Sequence, residues 1–373
     1  MQEQVVHWIH AGRTAAELSG VAPEPLALPD LPPLLQDKLA RPLHDLRISV
    51  TDRCNFRCTY CMPKEVFDKD FPYLPSAAML DFDEIERVAR AAVGLGVRKL
   101  RLTGGEPLLR KDVETLIARL AALRAPDGEA IELAMTTNAS LLKRKAAGLR
   151  AAGLNRVTVS LDAIEDATFR RMNDVDFPVR DVLDGIEAAV AAGLGPVKVN
   201  VVVKRGVNDN QILPIVAHFR HRGVVLRFIE FMDVGATNGW QMQHVLPAAE
   251  LRARIADRYE LVPLEPSSSG ETAQRYMLAD GSLEIGTISS ISEPFCGDCN
   301  RARLSTDGKL FLCLFAVKGF DIRHMLRGGV SDDELARTIA GIWTQRRDRY
   351  SELRAEVGDR RRQAKVEMSY IGG

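Results

Sequence analysis

Arg47-Ile48-Ser49-Val50-Thr51-Asp52-Arg53-Cys54-Asn55-Phe56-Arg57-Cys58-Thr59-Tyr60-Cys61-Met62-Pro63 sets three cysteines in the spacing CxxxCxxC directly after an apolar, strand-like run. A short loop with that spacing can turn three sulfurs toward one point, and soft thiolates gathered so suit an iron-sulfur cluster. A four-iron cube held by three protein thiolates keeps one iron open to a small molecule, which a pure electron carrier does not need. Two plainer readings stay open on spacing alone: cysteine packs as a small buried hydrophobe, and zinc also takes cysteine clusters.

Outward from this stretch the chain alternates strand and helix. Runs rich in Val, Ile and Leu predict strands at 46–50, 99–103, 131–136, 156–161, 197–203 and 225–230, with helices at 82–95, 113–123, 141–152, 179–192 and 211–222 between them. Gly96, Gly153, Gly193 and Gly223 follow four of these helices, where a left-handed cap is needed. Strict alternation predicts a parallel sheet with right-handed crossovers, and six units are too few for a closed eight-stranded barrel, so the fold class is α/β, an open partial (β/α)6 barrel. Such sheets carry their functional loops at the C-terminal strand ends. There lie the cysteine loop, Gly104-Gly105-Glu106-Pro107, Thr137-Asn138, Asp162 and Met232, with Lys198 and Asn200 inside the fifth strand.

After Met232 the pattern changes. A helix is expected at 248–258 and a Ser-rich loop at 266–270, then short strands at 275–278, 282–287, 302–305 and 309–313, with Thr306-Asp307-Gly308 as a hairpin turn. Ser331, three residues before Glu334, predicts the start of a helix reaching Asp348. This region carries the second cysteine set, Cys296, Cys299 and Cys313. A zinc ribbon competes for it but needs a fourth ligand, for which His324 is the nearest downstream candidate. Arg301 and Arg303 alternate on a strand and so share a face, suited to phosphate oxygens. The domain organisation expected is a proline-rich leader at 1–43, with a short helix near 5–18, a barrel at 44–234 and a small β-containing C-terminal region at 235–373.

Lys and Arg together number 50, as do Asp and Glu, and a formal net charge of zero argues against a general nucleic-acid or membrane-surface binder. Six cysteines in two groups of three are too sparse for a disulfide scaffold, which points to a reducing compartment. Glu3 and Glu17 in a leader without a long apolar core speak against a targeting peptide, and no apolar run is long enough to span a bilayer, so a cytoplasmic location is expected.

Thr51-Asp52-Arg53-Cys54-Asn55-Phe56-Arg57-Cys58-Thr59-Tyr60-Cys61-Met62-Pro63 resembles the radical S-adenosylmethionine (SAM) superfamily. Together with Phe295-Cys296-Gly297-Asp298-Cys299-Asn300-Arg301-Ala302-Arg303-Leu304, it is similar to the GTP 3′,8-cyclase family that begins molybdenum-cofactor synthesis, over residues 44 to 373. The resemblance implies two [4Fe-4S] clusters, on Cys54, Cys58 and Cys61 and on Cys296, Cys299 and Cys313. It implies SAM contacts at Tyr60, Gly104, Gly105, Glu106, Ser160 and Met232. GTP contacts are implied at Arg47, Arg101, Thr136, Lys198, Arg301, Ala302 and Arg303, and a catalytic part for Arg301, Arg303 and the tail residues Gly372 and Gly373. In such a reaction SAM cleavage yields a 5′-deoxyadenosyl radical that takes H-3′ of GTP, and the carbon radical adds to C8 of guanine. Implied partners are an electron donor such as flavodoxin or ferredoxin and the downstream cyclic pyranopterin monophosphate synthase, with a homodimer or monomer as the assembly. One departure is Ala139, where the family often has glycine; alanine fits there if the turn does not need a positive φ.

Overall fold

The computed structural model describes residues 35–268, 270–356 and 365–372; the helix expected near 5–18, the proline run 23–33 and Gly373 lie outside the described residues. Six parallel strands, β1 (Asp45–Ser49), β2 (Lys99–Thr103), β3 (Glu132–Thr137), β4 (Arg156–Ser160), β5 (Val197–Val203) and β6 (Val224–Glu230), pair in chain order. Their crossovers carry α1 (Phe82–Gly94), α2 (Val113–Ala121), α3 (Leu142–Ala151), α4 (Asp166–Asn173), α5 (Val179–Ala191) and α6 (Ile212–Phe219). This is the expected partial (β/α)6 barrel. The helix α4 was not expected, because its sequence is mostly polar and buries only Thr168, Phe169, Met172 and Asn173.

The strands alternate as the pleat requires. Leu46, Ile48, Leu100, Leu102, Val157, Val159, Val199 and Val201 are buried in one apolar core with the helices, each contributing about 1.5–3 kcal/mol. Asp45, Arg47, Ser49, Lys99, Arg101, Thr103, Thr136, Arg156, Thr158, Ser160, Lys198, Asn200 and Arg227 take the alternate positions and face the barrel lumen. At α1 the N-cap is a reciprocal box, with Glu84 N donating to Asp81 at 2.8 Å and Asp81 N to Glu84 at 2.9 Å. The four glycines read as helix ends take positive φ, from 67° at Gly223 to 109° at Gly96.

The C-terminal strands are β7 (Leu261–Leu264), β8 (Gln274–Leu278), β9 (Glu284–Ile288), β10 (Arg301–Leu304), β11 (Lys309–Phe311) and β12 (Phe320–Asp321), and they extend the barrel sheet at both ends. The order is β12-β11-β10-β1-β2-β3-β4-β5-β6-β9-β8-β7. Here β10 lies parallel to β1 and β9 parallel to β6, while the outer pairs are antiparallel. The second cysteine set is thereby brought beside the first strand. Four more helices are described, α7 (Ala248–Ala256), α8 (Ile322–Arg327), α9 (Asp332–Thr344) and α10 (Met368–Ile371). Ser331 caps α9 as expected, accepting from Glu334 N at 3.2 Å, but the helix stops short of Asp348 because the chain turns Arg346 into the interior. Residues 35–43, grouped by composition with the leader, are packed: Leu35, Asp37, Arg41 and Leu43 are buried. Among the described residues no helix is long and apolar enough to cross a membrane.

Candidate active site

The first cysteine loop leaves β1 and docks on the end of β2. Gly105 N donates to Thr51 O and Glu106 N to Arg53 O, both at 2.8 Å. A Cβ on Gly104 would collide with Thr51 O and one on Gly105 with Arg53 O, so only glycines let this strand end lie against the loop. The Glu106 carboxylate points elsewhere, accepting from Leu108 N at 3.0 Å, Thr137 Oγ1 at 2.8 Å and Asn138 N at 2.7 Å. It ties the ends of β2 and β3 together, and burial pushes it up to about 7 against those donors. The main chain of 104–106, not this side chain, borders the cysteine loop.

Arg57 stitches the loop from within. Its guanidinium donates to Cys54 O at 2.7 Å, Phe56 O at 2.8 Å, Phe67 O at 2.7 Å and Tyr73 Oη at 3.1 Å. Tyr60 Oη donates to Asp162 Oδ2 at 2.7 Å, fixing the loop to the end of β4, and burial raises that carboxyl to about 6. Burial likewise pushes the Cys54 thiol up to about 11 and raises Cys58 and Cys61 further. Three half-buried thiols with so little cationic help would become thiolates when a metal centre supplies the positive charge, so the loop fits a cluster.

In the second set Cys296 opens a short turn (Cys296–Asp298), Cys299 closes it and Cys313 follows β11. Burial pushes Cys313 up to about 12, whereas at Cys299 burial is outweighed by Arg301 and Arg346, which hold the thiol down at about 6. Arg346 Nη2 donates to Cys299 Sγ at 3.2 Å. Among the described residues no three His, Cys, Asp or Glu side chains gather as a single-ion site. His324 lies on α8, where its main-chain N donates to the capping Asp321.

Between the two cysteine sets the lumen is cationic. Register places Arg303, Arg47 and Arg101 side by side across β10, β1 and β2, with Thr136, Thr158 and Lys198 across β3, β4 and β5, and Asn200 beside Arg227. Arg101 Nη1 donates to Thr136 Oγ1 at 3.2 Å and Thr158 Oγ1 at 3.1 Å. Burial, then neighbouring cations, lower Arg101 to about 9, Lys198 to about 7, Lys99 to about 8 and Arg227 to about 10. Arg47, Lys99, Arg101 and Arg301 outweigh burial at Asp45 and hold its carboxyl below the usual range. Among the described residues the Nε atoms of Arg47, Arg101 and Arg301, with Thr103 Oγ1 and Asn200 Oδ1, are buried without a hydrogen-bond partner. Each such group costs about 1–3 kcal/mol, a cost that a polyanionic ligand would remove. Lys99, Arg156 and Arg227 were missed by motif reading, although a charge alternating with Leu, Val or Phe on a strand was their signal. Ala302 turns its side chain into the apolar core, so a ligand meets only its main chain.

The tail enters the same lumen. Arg303 Nη1 donates to Gly372 O, Gly372 has φ 70°, and a Cβ there would collide with Thr103 Oγ1. Upstream, Glu367 accepts from Ala236 N and Thr237 Oγ1, both at 3.0 Å, and its charge helps to push up Cys61. Met232, Cys313 and Met368 pack on one small cluster of Val234, Phe315 and Tyr350. Ser160 ends β4 in register with Asn200. The tail therefore runs between the two cysteine sets.

Residues 48–219 match the family described as the radical SAM superfamily, and residues 224–352 the one described as Molybdenum Cofactor Synthesis C. A GTP 3′,8-cyclase of Acidothermus cellulolyticus is 51% identical over 362 residues, covering 91% of this chain and 99% of that protein. Those of Xanthomonas axonopodis pv. citri and Staphylococcus aureus are 52% and 47% identical, again over 91% of this chain and 99% of theirs. Among solved structures, Streptococcus suis SuiB bound to the precursor peptide SuiA aligns with TM-score 0.54 at 16% identity, over 74% of this chain and 61% of that one. That likeness is one of fold.

Proposed function

The chain belongs to the GTP 3′,8-cyclase family within the radical SAM superfamily, and we propose that its lumen holds GTP between two iron-sulfur clusters. The reaction is that of a GTP 3′,8-cyclase, the entry to molybdenum-cofactor biosynthesis. The radical SAM superfamily implies a [4Fe-4S] cluster and SAM. Cys54, Cys58 and Cys61 are the residues suited to hold that cluster, with Tyr60, the main chain of Gly104, Gly105 and Glu106, Ser160 and Met232 around SAM. Cys296, Cys299 and Cys313 would hold a second cluster, which would supply a Lewis-acidic iron to the nucleotide.

The observation that carries this reading is the row of buried, partly unpaired cations between the two cysteine sets. Cys54, Cys58 and Cys61 would hold the cluster that, once reduced by an external donor, would supply the one electron for reductive cleavage of SAM. The chain's own task is placement. Arg301, Arg47, Arg101 and Lys198 would take the triphosphate, where guanidinium binds oxygens in a fork. Arg303, bonded to Gly372, would set the tail against the ribose, where placement at the ångström scale governs the reaction. The electron would come from a donor of the flavodoxin or ferredoxin class in a reducing, cytoplasmic setting suited to six free cysteines, and cyclic pyranopterin monophosphate synthase would take the product. A monomer or a homodimer is the assembly proposed.

The test is anaerobic iron reconstitution followed by incubation with SAM, dithionite and GTP. The expected product is 3′,8-cyclo-7,8-dihydro-GTP, and 5′-deoxyadenosine without a GTP-derived product would overturn the substrate assignment. Arg301→Ala should weaken GTP binding by about 1.5–3 kcal/mol while sparing guanosine. Equal losses for both ligands in calorimetry would assign Arg301 to the fold.

A further inference from the structure

The segment 35–43 precedes the barrel, yet its Arg41 reaches the main chain of Cys296, and its Asp37 holds Arg346, which reaches Cys299 and the residue before Cys313. Asp37 is buried, and its Oδ2 accepts from Arg41 Nε at 2.7 Å and from Arg346 Nη1 at 3.1 Å. Its Oδ1 accepts from Leu39 N at 2.9 Å and Arg41 N at 3.0 Å. The two oriented guanidiniums then divide the cysteine loops between them. Arg41 Nη1 donates to Cys296 O at 2.7 Å and Asp348 O at 2.8 Å. Arg346 donates to Cys299 O at 2.6 Å, to Cys299 Sγ at 3.2 Å and, through Nε, to Leu312 O at 3.0 Å, the carbonyl next to Cys313. Trp343 closes the arrangement, its Nε1 donating to Arg41 O at 3.2 Å while its ring lies 4.6 Å from the Arg346 guanidinium.

Charge gives the same answer as geometry. One carboxylate between two guanidiniums is a buried trio with one positive charge left over, and such a charge is costly unless an anion faces it. Three thiolates on an oxidised four-iron cube carry one net negative charge. We propose, on the footing of the second-cluster site above, that Asp37 is a positioning residue for that cluster. Through Arg41 and Arg346 it fixes the three cysteine loops, and through Arg346 it directs a hydrogen bond at the Cys299 sulfur that raises the cluster's reduction potential. Hydrogen bonds to ligand sulfurs are among the protein's levers on that potential.

The experiment uses the full chain carrying Cys54→Ala, Cys58→Ala and Cys61→Ala, so that only the second cluster forms on anaerobic reconstitution. Iron per chain, the electron paramagnetic resonance signal of the reduced cluster and its midpoint potential are then compared across Asp37→Asn, Asp37→Glu and Arg346→Lys. Asp37→Asn should lower iron to less than half of about four per chain, and Asp37→Glu should restore most of it. Arg346→Lys keeps the charge but cannot reach Leu312 O, Cys299 O and Cys299 Sγ together, so iron should also fall and the cluster that still binds should show a lowered potential. Unchanged iron, signal and potential in all three variants would overturn the proposal. So would a lowered melting temperature with the potential and signal of the bound cluster unaltered, which would mark Asp37 as part of the fold only. If the parent itself binds no cluster, the two-cluster reading fails first and the role of Asp37 falls with it.

Discussion

At position 139 a methyl group meets two opposing demands. Ala139 has φ 62°, so the turn after β3 does need the left-handed conformation, contrary to the condition under which alanine fits without strain. The conformation costs an alanine about 1–2 kcal/mol. The methyl is buried, and α5 approaches so closely that a Cβ on Gly185 would sit 3.4 Å from Ala139 Cβ. Its burial returns about 0.8 kcal/mol, and alanine also restricts the unfolded chain by about 0.4–1 kcal/mol relative to glycine. Ala139→Gly should therefore change stability in urea by less than about 1 kcal/mol; a loss well beyond that would show that packing on α5 dominates. Lys198 invites a second test. Burial, then Arg227 and Arg156, lower it from 10.5 to about 7. Between those values the unfolded chain binds a proton that the ligand-free fold does not, so the empty protein gains stability as pH rises through that window. A bound triphosphate favours the protonated amine, so the thermal shift given by GTP should shrink from about pH 7 to about pH 9, and Lys198→Met should flatten the trend. A GTP shift that grew with pH would remove Lys198 from the phosphate site.

Among the elements, the tail carries the sharpest prediction. The short helix α10 buries Ile371 and delivers Gly372 to Arg303 and Thr103. Gly372→Ala would have to hold φ 70° and clear Thr103 Oγ1 with its Cβ, so the last turn should leave the lumen. Iron content and SAM cleavage should persist while GTP conversion falls by at least about a hundredfold, since misplacement by an ångström suffices for that loss. Loss of iron instead would make the tail a support for the clusters. The barrel strands were legible because Leu and Val alternate with polar residues or run together over five to seven positions. The helix α4 was not, being short and polar, nor were β7, interrupted by Pro263, and the two-residue β12. Nor could periodicity reveal that Asp37 and Arg41 serve Cys296 and Cys299, because that pairing spans more than two hundred residues and leaves no local pattern.

For the whole molecule, a net charge of zero conceals segregation. Carboxylates pair with Lys and Arg over the exterior, as at Glu86 with Arg119 and Glu250 with Arg254, while the lumen keeps Arg47, Arg101, Lys198, Arg227, Arg301 and Arg303 with few acids among them. A composition-level charge of zero could not show an internal site for a polyanion. The cysteine motifs marked the two ends of the proposed active site, but its middle became visible only when β10 joined β1 and set Arg303 beside Arg47. Two cysteine sets, a cationic lumen and a threaded tail in one chain carry the central claim, that SAM cleaved at the first loop acts on the ribose of a GTP held in that lumen. The most direct measurement is a single anaerobic turnover with GTP deuterated at C3′, followed by mass analysis of the 5′-deoxyadenosine. Deuterium carried into 5′-deoxyadenosine is the predicted result; 5′-deoxyadenosine formed without label, at the same yield whether GTP is present or not, would contradict it.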